Sequence, residues 1–316
     1  MNFKDINLSQ NIISQITSEN GSKLNKRIAE LGVNAINADS LRKKYDITAC
    51  RQLIKPILGN IAPKNKVQIF YNFKGGTGKT TICFQTAFML SMFGFKILAI
   101  DLDSQGHLSN VLRFDETQKV KTMYDAIING VEIQNCIYHL CDGLDAIPST
   151  LELTKIEVPL SQKTRREEVL KRLLDPIKDQ YDFILIDTNP TISTLNLNAL
   201  FAADHINIVC ETQPFSLNGL CILMEELENI FSDLGKELNL SVIANKFETK
   251  TATAQEVLGV LRMDYSKEMY QTVIRKSEDI NLASKKRMPV ISFSSKKSSA
   301  FEDLIDFVKE FIKEAI

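Results

Sequence analysis

The chain has little that would mark it as disulfide-bonded, metal-binding or membrane-embedded. Its six cysteines, Cys50, Cys83, Cys136, Cys141, Cys210 and Cys221, include no C-x-x-C pair and no paired-ligand spacing. Most sit in apolar runs and read as reduced, buried thiols, which argues against a disulfide framework. Three scattered histidines form no metal constellation. No basic-then-apolar leader opens the sequence, so no export signal is expected. The longest apolar region, 82–100, is broken by Gln85, Gly94 and Lys96 and reads as a helix followed by a strand, not as a membrane span. Net charge is also scarce, −1 over 316 residues, and by itself it points to no partner.

What the chain does have is apolar mass and local charge. At 44% hydrophobic it can bury a sizeable core, as one large domain or one domain with an appendage. Residues 1–66 hold 11 Lys/Arg against 5 Asp/Glu, and residues 262–300 hold 9 against 4. Such segments suit either polyanion contacts or ordinary solvated faces, and composition leaves both open.

The most informative stretch is Lys74-Gly75-Gly76-Thr77-Gly78-Lys79-Thr80-Thr81. It follows an apolar run at 67–71 and opens into helical spacing at 81–88. Strand, glycine-rich loop and helix together make an anion site, because successive N–H groups and the helix N-terminus converge on one point. Glycines let the backbone approach phosphate without an intervening Cβ. Lys79 is then placed to reach the β- and γ-phosphates, and the Thr80 hydroxyl to sit on Mg²⁺.

From residue 67 onward, apolar runs alternate with helical segments, which predicts a doubly wound α/β fold with a mainly parallel sheet. The run at 96–100 ends in Asp101-Leu102-Asp103-Ser104-Gln105-Gly106, and a carboxylate at such a strand tip can orient water near the γ-phosphate. The buried run at 183–187 ends in Asp187, positioned to hold Mg²⁺ through water. The run at 240–244 leads into Asn245, in a turn that resembles the base-recognition turn of a known ATPase family, and its amide, with a donor and an acceptor, suits an adenine edge. A final helix over 301–316 has an apolar stripe and an acidic outer face with Glu302, Asp303 and Asp306. A bilayer-binding helix would be basic there, so this one is expected to pack on the sheet.

Residues 1–63 read as a separate, polar, helical extension before an ATPase domain at 64–316. Within the extension, 38–45 and 49–55 read as two helices around a turn at 46–48, a spacing that resembles a helix-turn-helix. Its second helix would offer Arg51, Gln52 and Lys55 to DNA. Pro56 counts against this by ending that helix early. A plain helical extension packed on the ATPase is the alternative.

The octet has Phe73 where the standard P-loop has its first glycine, and instead carries a second lysine, Lys74. With the boxes ending at Asp103, Asp187 and Asn245, it resembles the deviant Walker A signature of the ParA/MinD family of dimeric ATPases, over about 250 residues. That resemblance implies ATP and Mg²⁺ as ligands, a homodimer in which Lys74 reaches the partner's nucleotide, and a hydrolytic role for Asp103. It also implies non-specific DNA contacts from the stretch 272–289, through Arg275, Lys276, Lys285, Lys286 and Arg287. Phosphate contacts need positive charge and little geometry. The function implied is plasmid or chromosome partition in the cytoplasm, on the nucleoid. A ParB-type centromere-binding protein would stimulate slow hydrolysis, and the extension would serve autorepression at an operator. A MinD-like membrane-cycling ATPase is the alternative, with an iron–sulfur reductase or a sequence-specific regulator further off.

Overall fold

Two short strands, β1 (Asn7–Ser9) and β2 (Lys44–Asp46), pair antiparallel in a small sheet of their own. They belong to a computed structural model that describes residues 3, 5–37, 40, 42–59, 61–115, 117–294 and 298–316. Between and after them lie α1 (Gln10–Ile16), α2 (Gly21–Glu30) and α3 (Ile47–Leu58). The Asn20 side chain caps α2 and Asp46 caps α3, each accepting the N–H three residues on.

The main sheet contains β3 (Val67–Tyr71), β4 (Ile97–Asp101), β5 (Tyr138–Cys141), β6 (Leu144–Ile147), β7 (Phe183–Asp187), β8 (His205–Glu211) and β9 (Leu240–Asn245). Its order is β5-β6-β4-β7-β3-β8-β9, and every neighbouring pair is parallel except β5 with β6. All residues of β3, β4, β7, β8 and β9 are buried, as expected of parallel strands covered on both faces. The α/β expectation therefore holds, with strand limits shifted by a residue at most places. The charged stretch 163–178 is broken into short α and 3₁₀ turns.

Helix α4 (Lys79–Met92) leaves the glycine-rich loop and is apolar nearly all round, because it is sandwiched. One side meets the sheet and the other meets the extension, where Phe3 and Phe88 approach at 5.3 Å between ring centroids. A single hydrophobic cluster runs from Ile6, Leu8 and Leu53 through Phe84 and Phe88 to Phe301 and Phe311. The final helix, labelled α8 below (Ser299–Glu314), closes the same face of the sheet. Its Phe311 stacks on Phe70 of β3 and tilts against Phe183 of β7.

The helix-turn-helix reading does not survive in its expected place. Residues Lys44–Asp46 form a strand, not a helix, while positions 38, 39 and 41 lie outside the described residues. The expected second helix does exist, but it begins at Ile47 and passes through Pro56 to Leu58. What carries a helix, a short turn and a second helix is the pair α1 and α2. Only Leu24 of α2 is buried, and Lys23 and Lys26 face solvent.

Candidate nucleotide site

Parallel register brings the separate boxes to one edge. Asp101 sits opposite Asp187, and Glu211 opposite Asn245, at the C-terminal ends of their strands. Between them the loop after β3 turns into α4. Asn72 anchors its start, donating to the Val209 carbonyl at 2.9 Å and accepting from the Lys74 N–H at 2.9 Å. Gly76 and Gly78 have φ of 79° and 99°, and a Cβ on Gly78 would run into the Asn245 amide. Here glycine is required by both backbone and neighbour.

A cavity of about 710 Å³ opens at this edge, within the range of small-ligand sites. Its lining includes Gly75, Gly76, Gly78, Lys79, Thr80, Thr81, Asp103 and Asn245. Lys79 is buried at the first position of α4, and its Nζ donates to the Lys74 carbonyl at 3.3 Å. Burial holds its pKa below the usual lysine value, while Asp187 and Asp103 pull it upward.

Asp187 is fully buried, and its carboxylate makes no well-formed hydrogen bond, with the Thr80 hydroxyl near enough to favour its charged form. Burial, then the charge of Asp101 beside it, pushes its pKa well above the usual carboxylate range. A buried carboxylate of this kind suits a cation, and Mg²⁺ fits it. Thr77 Oγ1 and Asn245 Oδ1 are likewise buried without partners. Asn245 donates one of its two amide N–H groups to the Thr77 carbonyl at 2.7 Å and so pins the loop, while its Oδ1 stays open as an acceptor.

The two aspartates after β4 differ in kind. Asp101 accepts from the Ser109 N–H and Oγ, both at 2.7 Å, and from the Asp103 N–H at 3.0 Å. Burial raises it to about 6 against those bonds. It fixes the loop rather than facing the cavity. Asp103 lines the cavity, accepts from the Gln105 N–H at 3.0 Å, and has His107 Nδ1 3.6 Å away.

The residues expected to touch DNA separate into two groups. Arg275 is not free: its guanidinium grips Asp303 at 2.6 to 3.0 Å and reaches Glu302 at 3.3 Å. Asp303, read as outer-face acid, is accordingly buried. Lys276 pairs with Glu248 at 2.7 Å, and both Arg275 and Lys276 line the nucleotide cavity. Lys285 and Lys286 are exposed on the last turn of α7 (Glu278–Lys286), with Lys286 Nζ 4.6 Å from the Phe293 ring centre. Arg287 ends that helix in the left-handed region at φ 51°, its carbonyl accepting from Arg113.

On the extension, Arg51 is turned inward. It donates to the carbonyls of Ser91, Phe95 and Gly94 at 2.5, 2.7 and 3.2 Å and faces Asp142 at 3.5 Å. Its guanidinium lies where a side chain on Gly143 would stand. It docks the extension on the ATPase body and is unavailable to DNA. Gln52 and Lys55 remain exposed at the mouth of a cleft of about 590 Å³ beside it. No local pattern signals Arg51's partners, nor the pairings of Asp303 or Glu211, since each partner lies 28 or more residues away along the chain.

Comparison with known proteins places the chain among ATPases. The family described as AAA domain matches residues 65–240. The cell division protein PomZ of Myxococcus xanthus is 32% identical over 76% of this chain and 76% of its own length. The chromosome-partitioning ATPase Soj of Treponema pallidum is 31% identical over 74% of this chain and 92% of its own. Among solved structures, an ATP complex of a McdA variant from Cyanothece superposes with a TM-score of 0.70 at 23% identity, over 78% of this chain and 96% of that one. The fold thus has a solved counterpart, and the chain belongs to the ParA-type family of P-loop ATPases.

Proposed function

We propose that this ATPase is an ATP-switched DNA-binding protein for partition or intracellular positioning. The observation that carries the reading is the set of buried polar atoms without a well-formed hydrogen bond around the glycine-rich loop, of Asp187, Thr77 and Asn245. Such atoms are costly unless a ligand satisfies them, and Mg²⁺ with ATP supplies both the cation and the phosphates. The loop N–H groups and Lys79 bind the phosphates, Thr80 and Asp187 hold the metal, Asn245 accepts from the adenine amino group, and Asp103 orients water. The bound metal supplies charge neutralisation on the phosphates.

In this reading ATP joins two subunits, with Lys74 of each neutralising the partner's nucleotide. Phe215, 87% exposed at the start of the helix that follows β8, is an apolar contact for that face. Lys285 and Lys286 then meet DNA phosphates without reading sequence. A ParB-type protein would complete the site and trigger release, since groups supplied by a partner are worth roughly 10³–10⁵ in rate in related phosphoryl transfers. Operator contact, if the extension makes it, falls to α2 with Lys23 and Lys26, because Arg51 is committed elsewhere.

A membrane-cycling role is disfavoured by the final helix, whose apolar stripe of Phe301, Leu304, Phe307, Val308 and Phe311 is fully buried. Among the described residues no helix is long and apolar enough to cross a membrane. The test is binding to a random-sequence duplex with ATP, ADP or no nucleotide across a salt series. Tight, salt-sensitive binding with ATP alone is expected. Binding indifferent to nucleotide would overturn the switch.

A further inference from the structure

Glu211 closes β8, belongs to none of the nucleotide boxes, and is 8% exposed. Two ammonium groups converge on it. Lys74 Nζ stands 3.1 Å from one carboxylate oxygen and Lys246 Nζ 2.7 Å from the other. Lys74 also donates to Ser216 Oγ at 3.3 Å, on the first turn of α6 (Pro214–Asp233). Lys246 also donates to the Gly76 carbonyl at 2.5 Å. One carboxylate therefore ties together the glycine-rich loop, the turn after β9 and the entry to α6. Burial would raise its pKa, but the hydrogen bonds and charges of the two lysines outweigh this and hold it below the usual glutamate value.

Lys74 cannot occupy this site and a partner's nucleotide together. We propose that Glu211 is a positioning residue that stations Lys74 on its own subunit until nucleotide phosphate draws it away, so that Glu211 sets the ATP concentration at which subunits join. The proposal rests on the role given above to Lys74. The arrangement suits a reversible tether, because Lys246 remains on Glu211 when Lys74 leaves. No bare carboxylate is stranded in a buried site, which would otherwise oppose release. The exposed Phe215 adjoins the Ser216 end of the tether, so withdrawal of Lys74 occurs beside the surface where the second subunit would arrive.

The experiment uses the full chain and Glu211→Gln, which keeps shape and removes charge. In nucleotide-free protein, amine-reactive labelling of Lys74 read by mass spectrometry should quicken several-fold over the wild type. Sedimentation across an ATP series should place the dimerisation midpoint at least about fivefold lower than wild type. Adding Glu211→Gln to Lys74→Ala should bring no further gain, because the effect passes through Lys74. Unchanged labelling, or a gain that persists without Lys74, overturns the proposal. Faster labelling without any ATP-driven dimer in either protein would uphold the tether and refute the cross-subunit role instead. Should Glu211→Gln fold poorly, Ser216→Ala loosens Lys74 alone and should move labelling the same way by less, and no change there would also overturn it.

Discussion

The nucleotide edge of the sheet and the N-terminal extension are built by different means. At the edge, each functional side chain stands at the tip of a strand or the start of a helix, so local sequence fixes its place. Parallel register then does the assembly, setting Asp101 against Asp187 and Glu211 against Asn245. The extension holds its position through contacts made far along the chain, such as Arg51 on the carbonyls of Ser91, Gly94 and Phe95, or Arg113 on Asp5 at 2.7 Å. The edge is a site made of motifs. The extension is a docked part, and its outward surface is not the one its motif suggested.

That contrast can be broken from either side. Lys79→Ala should have the largest effect. Losing a buried cation with charge-assisted phosphate bonds of ~1.5–3 kcal/mol each should weaken ATP binding roughly 100-fold or more by calorimetry. Thermal stability without nucleotide should change little. Unchanged affinity would mean that the cavity is not the ATP site. Arg51→Ala should do the reverse, leaving ATP affinity near wild type while costing about 2–3 kcal/mol in urea unfolding, because three carbonyls lose a buried charged donor. If instead it lowered DNA binding at undiminished stability, the inward assignment would be wrong. The smallest effect belongs to Lys285→Ala with Lys286→Ala. The slope of log affinity against log salt should flatten by about 1 for each phosphate contact removed, equally on all sequences.

Much of the ATPase body was legible. Runs buried on both faces announce parallel strands, and the glycines with Lys79 and Thr80 announce the loop, since phosphate binding demands a backbone without side chains. The positions of Asp187, at a strand tip, and Asp103, two residues past one, were legible because an apolar run announces where its strand ends. Other features depend on pairings that no local pattern encodes. Lys44 and Tyr45 look helical in a basic context, but their strand exists only because β1 pairs with them. Arg275 looks like a DNA contact until Asp303, 28 residues on, accepts it. Glu211 reads as the end of a strand, and its meaning comes from Lys74 and Lys246, which reach it from two other loops.

The stacking of Phe70 on Phe311 has a consequence for how the chain is made. Phe70 belongs to the strand that launches the glycine-rich loop, whereas Phe311 comes from a helix more than two hundred residues later. On the ribosome, that face of β3 has no cover from α8 for most of synthesis. Contacts so distant along the chain are also slow to form. The body's first strand is thus covered in two stages, by α4 soon after it is made and by the final helix only at the end.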